Sequence, residues 1–208
     1  MAPDAAARDA IAAPPWRLGD LLCVALLIIS AVLFRVGWLH VVSMNPDESQ
    51  YAAHASYLLG TGQTTFDAPF SPIMAAEVYR WFGAVFGPYH MFELRVLILL
   101  ISIVMSLMIF DLVRRQLSPL YGLIAGLLFN YSNLYFEGLS ANREWFAGCA
   151  LLAALYGYIL SRDRGRRARD ASLFLAGVLV GVAISFKDQA VALVPIIACE
   201  AMLDGRSP

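Results

Sequence analysis

Phe92–Val113 reads FELRVLILLISIVMSLMIFDLV, and that stretch decides the fold. After Glu93 and Arg95 it carries no charge until Asp111. A helix crossing a bilayer needs about 20 predominantly apolar residues, and this run supplies them. Working outward, the same signal recurs in Leu18–Val42, Tyr121–Phe136, Trp145–Leu160, Ser172–Phe186 and Ala190–Leu203. Several of these are short and need flanking residues to complete a crossing. The expected fold is therefore all-α, a polytopic membrane helical protein with about six transmembrane helices. Composition agrees: the 208 residues are 60% hydrophobic and 15% charged, against about 45–50% and 25% in soluble domains.

Residues 1–17 are rich in Ala and Pro and read as a short cytosolic tail, with the transmembrane domain over 18–208. The first run is too long for a signal peptide and carries Arg35 near its far end. That arginine is expected to snorkel to the interface. Cys23, Cys149 and Cys199 all lie in apolar runs, at no metal or redox spacing, and read as small buried residues.

Charge sets the orientation. With a cytosolic N-terminus, the inner segments hold Arg8, Arg17, Arg114, Arg115, Arg162, Arg164, Arg166, Arg167, Arg169 and Arg206. The outer side holds only Arg35, Arg80, Arg95, Arg143 and Lys187. Ten against five is the bias the positive-inside rule describes. The basic loop 162–170 reads as a solvated cytosolic turn. A net charge of −1 gives no footprint for nucleic acid. Fourteen arginines against one lysine resemble the coding bias of a high-GC bacterium; for a helical multi-span protein of such a cell the expected location is the inner membrane.

The same topology gathers Asp47, Glu48, Asp67, Glu77, Glu93, Arg95, Glu137, Arg143, Glu144, Lys187 and Asp188 at the outer face. Residues 43–90 form the one long extramembrane loop. Two interfacial amphipathic helices are expected in it. The first runs over Asp47–Leu59, opened by Asn45-Pro46 and closed by Gly60-Thr-Gly62. The second runs from Ser71 or Pro72 to Phe86, with Met74, Val78, Trp81, Phe82 and Val85 on one face, and Gly87-Pro88 stops it. Asp47 and Glu48 then sit in a helix's first turn, where the dipole favours carboxylates.

An acidic pair at the lipid–water boundary suits an enzyme that handles a polar head group on a lipid tail. Carboxylates deprotonate an acceptor hydroxyl, and Lys or Arg holds a phosphate leaving group. Lys187, the single lysine, ends an apolar run. Plainer readings exist for each residue. Asp47 and Glu48 form an N-terminal charge cluster, and Asp67 a turn. Glu144 forms a surface ion pair with Arg143, and Lys187 is an interfacial anchor. His54 is a polar-face histidine.

Asp47-Glu48-Ser-Gln-Tyr51 resembles the Asp-Glu-x-x-Tyr motif in the first external loop of GT-C membrane glycosyltransferases. The closest resemblance is to the bacterial polyprenyl-phosphate-sugar-dependent branch, which includes lipid A aminoarabinose transferases and protein mannosyltransferase-like enzymes. Phe66-Asp-Ala-Pro69, Tyr79-Arg-Trp81 through Phe86-Gly87, Glu93-Leu-Arg95, Asn142-Arg-Glu144 and Ser185-Phe-Lys187 continue the likeness in order. The resemblance implies transfer of a sugar from a polyprenyl-phosphate donor to a lipid, glycan or protein acceptor on the extracytosolic face. It implies Asp47 as catalytic base, with Glu48 assisting. It places Tyr51, Asp67, Arg95, Glu144 and Lys187 at substrate, with Lys187 and Arg95 toward the donor phosphate. Some relatives use a divalent metal ion, for which Glu48 and Asp67 are the residues to watch; others do not. Relatives usually have about twice as many spans, so the chain resembles the N-terminal half of such an enzyme and is expected to be a fragment, a truncated gene product or one half of a two-chain enzyme.

Two other classes fit the sequence. A non-catalytic or half-size membrane subunit would retain the fold. A transporter or flippase-like protein would need polar groups near the midplane, for which Asn130–Asn133 is the one candidate stretch.

Overall fold

The computed structural model describes residues 15–40, 46–64, 73–87, 89–133, 142–161, 166–187, 190–191 and 195. Asp67, Glu137, Asp188 and Cys199 lie outside the described residues, as do the side chains of Asp47, Arg166 and Arg167 and most of the expected sixth span. Among the described residues the regular structure is helical. It comprises α1 (Leu18–Leu39), α2 (Pro46–Thr61), α3 (Ile73–Phe86), α4 (Met91–Gln116), α5 (Pro119–Ser132), α6 (Arg143–Ser161) and α7 (Arg166–Phe186).

Four of these, α1, α4, α6 and α7, are long and apolar enough to cross a membrane. The third expected span is represented by α5, whose 14 residues reach about 21 Å at about 1.5 Å per residue. That falls short of a hydrocarbon core of about 30 Å. α4 packs against α1, α5 and α6, while α6 packs against α7. α2 pairs with α3, and α3 rests on α7 and the start of α4. One core runs through both layers, from Tyr51 and Tyr79 in the loop helices to Leu94, Trp145 and Phe186 in the spans.

Local chemistry explains the boundaries. Ser118 caps α5 by accepting from the Tyr121 N–H, with Pro119 next in line. Gly62 at φ 69° ends α2 and Gly87 at φ 101° ends α3, the left-handed stop that glycine adopts without steric cost. Gly60 lies inside α2, so the helix runs past the first expected stop. α7 is already helical from Arg166, which shortens the expected turn over 162–170.

The buried stripe of α1 is Asp20, Leu27, Ala31 and Arg35, one helix face. Arg35 is thus aimed inward rather than out to the interface. It is 2% exposed, and its guanidinium lies 4.8 Å from the Trp145 ring centroid. Its position on the core-facing stripe, set by the residues four and eight before it, overrides snorkelling.

α5 approaches its neighbours through Gly122 and Gly126. A Cβ on Gly122 would lie 2.7 Å from the Phe110 carbonyl oxygen, and one on Gly126 2.7 Å from Leu27 Cδ2. This is the small-xxx-small contact of membrane helices. Asn130, one turn on, donates from Nδ2 to the Leu27 carbonyl at 3.2 Å and to Ser30 Oγ at 2.8 Å. The polar stretch singled out for a transport path therefore begins with a residue that bonds α5 to α1.

On α3, Ala75, Ala76 and Tyr79 are buried, whereas Trp81 and Val85 are 69% and 70% exposed. Large exposed apolar side chains also line α1 and α7, including Leu22, Leu33, Phe174 and Val178. Such a surface is matched to lipid rather than water.

Candidate active site at one end of the bundle

The end of α1, the starts of α2, α4 and α6 and the end of α7 meet at one end of the bundle. Pro46 opens α2, so Asp47 and Glu48 occupy its first turn. Glu48 is fully buried. Arg95, in the first turn and a half of α4, donates to it twice: Nε to Oε1 at 3.0 Å and Nη2 to Oε2 at 2.6 Å. Arg95 Nη1 also donates to the Trp38 carbonyl at 3.2 Å, and its guanidinium lies 5.5 Å from the Trp38 ring centroid.

Taking two charges out of water is expensive, and only close, bidentate geometry offsets the cost. The result is a clasp joining α1, α2 and α4. It holds the backbone of the acidic turn, Asp47 included, against the bundle. Sequence reasoning put Glu48 at the chemistry and Arg95 at the donor phosphate; the fold brings the two together as partners. Tyr51, one turn after Glu48, is 8% exposed and packs its ring 5.1 Å from that of Tyr79, securing α2 to α3.

The second charged pair differs. Lys187 Nζ donates to Glu144 Oε1 at 2.6 Å, and the Arg143 Nε is 3.7 Å from the same oxygen. The Glu144 and Lys187 side chains are 42% and 30% exposed. Aromatic contacts place them: Phe146 stacks on Phe186 at 5.1 Å, and Trp145 meets Phe129 edge-on at 6.2 Å beneath Arg35. Arg35 and Trp38 lie three residues apart on α1, about one turn. That helix end therefore links the α6 pair to the α4 clasp.

Glu77 pairs locally with Arg80 on α3 at 2.7 Å. His54 was expected on a polar face, yet it is 8% exposed beside Ala55. Burial disfavours its charged form and lowers its pKa. The α2 face that takes Ala52, Ala55 and Leu58 into the core takes His54 with it. Among the described residues no group of three His, Cys, Asp or Glu is placed to hold a metal ion. Both Glu48 oxygens face Arg95, and Asp67 is not among the described residues.

A polar cluster at the opposite end escaped the sequence reading. Asp111 Oδ1 accepts from Arg114 at 2.8 Å. Its Oδ2 accepts from Arg115 at 2.6 Å and from the Tyr156 hydroxyl at 2.7 Å. Arg114 also reaches Asp20 at 3.4 Å and lies 4.4 Å from the Trp16 ring centroid. The available signal was Asp111 itself, three and four residues before two arginines at the end of the most apolar run.

Comparison with known families completes the picture. The sequence model of the family described as dolichyl-phosphate-mannose-protein mannosyltransferase matches residues 70–207. The matched segment contains Arg95, Glu144 and Lys187, while Asp47, Glu48 and Tyr51 precede it. No curated protein and no solved structure gives a significant match. With well over half of its 208 residues matched, and with an all-helical, multi-span fold, the chain belongs to the dolichyl-phosphate-mannose-protein mannosyltransferase family of GT-C-type membrane glycosyltransferases.

Proposed function

We propose that the chain transfers a sugar from a polyprenyl-phosphate donor to a lipid, glycan or protein acceptor at the extracytosolic face of a bacterial cell membrane. The N-terminus is cytosolic and the loop 43–90 extracytosolic. The observation that carries this reading is the sealed Glu48–Arg95 clasp, which fixes an acidic helix turn at the same end of the bundle as the accessible Glu144–Lys187 pair.

In this reading Asp47 takes the proton from an acceptor hydroxyl. The acceptor oxygen forms a bond to the anomeric carbon as that carbon's bond to the phosphate oxygen breaks. The electron pair leaves with the phosphate, whose charge Lys187 meets. Glu48 acts by positioning: with Arg95 it sets the turn that carries Asp47. Tyr51 secures the same turn against α3, and Asp67 contacts the acceptor or, if one is used, a divalent ion. Glu144 orients Lys187.

The test is reconstitution of the full chain in lipid vesicles with a series of polyprenyl-phosphate hexoses and pentoses. Acceptor-dependent release of polyprenyl phosphate is the expected result. Absence of release from every donor, with the protein folded and inserted, contradicts the proposal.

A further inference from the structure

The two charged pairs at this end differ in one decisive respect. Arg95 and Glu48 are 2% and 0% exposed, whereas Lys187 and Glu144 are 30% and 42% exposed. An incoming anion reaches the second pair and not the first.

The helices that carry the second pair are also joined by contacts that do not involve it. The Phe146–Phe186 stack brings the start of α6 to the end of α7. The Lys187 N–H donates to the Ala183 carbonyl at 2.9 Å, which fixes the backbone that carries the lysine. Trp145 is held between Arg35 and Phe129. Glu144 and Lys187 meet because the surrounding packing puts them there. The lysine's flexible stem and rotatable donors let it change partner.

We propose that Glu144 is a stand-in for the donor phosphate on Lys187. It holds the ammonium while the site is empty, yields it when the lipid phosphate arrives, and reclaims it as the polyprenyl phosphate departs. This rests on the reading that Lys187 meets the phosphate. The chemistry of the two lipids gives the device a purpose. The donor is a phosphodiester with one negative charge, whereas the product is a monoester with about −1.5 to −2 at neutral pH. Lys187 therefore grips product more tightly than donor, which slows turnover. A carboxylate 2.6 Å from the ammonium competes for it and repels the more highly charged product most.

The test is the affinity of the full chain, in lipid nanodiscs, for a polyprenyl monophosphate. Glu144→Gln removes the competitor and is expected to tighten binding about five-fold, the upper range for a part-exposed pair. Glu144→Ala should move it in the same direction. Lys187→Ala should weaken binding. The double variant Glu144→Gln/Lys187→Ala should gain less over Lys187→Ala than Glu144→Gln gains over the wild type, because direct repulsion is relieved there but competition for the ammonium is already gone, and an equal gain overturns the stand-in role. Equal or weaker binding by both Glu144 variants, with Lys187→Ala still weak, overturns the stand-in role and leaves the phosphate reading intact. Unchanged binding by Lys187→Ala overturns both.

Discussion

Among the described residues, two ion pairs join different helices at the same end of this bundle, and water reaches one of them and not the other. Glu48–Arg95 is sealed, doubly bonded and tied to the α1 backbone through Trp38. Glu144–Lys187 shares a single short bond, open to solvent and flanked by Arg143. Chemistry of the same type thus serves two purposes. A buried pair has already lost its hydration and makes a joint; an open pair keeps its freedom to exchange partners. The opposite end of the bundle repeats the joint, with Arg114 and Asp111 1% and 6% exposed.

Breaking the sealed pair should have the largest effect on stability. Glu48→Ala leaves the Arg95 guanidinium buried beside a hole, which costs about 3–5 kcal/mol. Thermal unfolding in detergent would read the loss. An unchanged midpoint would mean that the clasp is not a joint. Gly122→Val probes the packing that sets the bundle on which both pairs stand. Its new side chain meets the Phe110 carbonyl, and overpacking of that kind costs about 1–3 kcal/mol.

Lys187→Ala should cost less than about 1 kcal/mol, since part-exposed pairs contribute little, while raising the donor KM. A large stability loss there would erase the contrast between the pairs. The smallest effect concerns His54, about two turns along α2 from Asp47. Its folded pKa is lowered by burial, so the unfolded chain binds the proton more readily. The stability contribution is full above the unfolded value of about 6.5 and is lost as pH falls through it. The midpoint of His54→Gln should therefore fall less than that of the wild type between about pH 7 and pH 5.

Sequence made four of the six expected spans legible because an apolar run of about 20 residues matches the thickness of a bilayer. Helix stops at Gly62 and Gly87 were legible for a similar reason, since glycine accepts positive φ. Arg35 was misplaced because a run of apolar residues does not show which face of its helix meets protein and which meets lipid. The same ambiguity hid the partners of Glu48. Residues 47 apart in sequence become neighbours only when α2 folds back over the start of α4. Lys187 and Glu144 were each singled out by sequence, but their contact depends on the antiparallel return of α7 along α6. Gly122 and Gly126 carried a readable small-xxx-small spacing within Tyr121–Phe136, overshadowed there by the polar residues that follow.

The most direct test of the central claim, that the turn held by the clasp carries the catalytic base, is sugar transfer by Asp47→Asn from a polyprenyl-phosphate donor. Thermal unfolding of the same preparation serves as its control. Loss of transfer with an unchanged unfolding midpoint is the predicted result. Transfer at the wild-type rate by the folded variant would contradict the claim and leave the clasp as a structural joint alone.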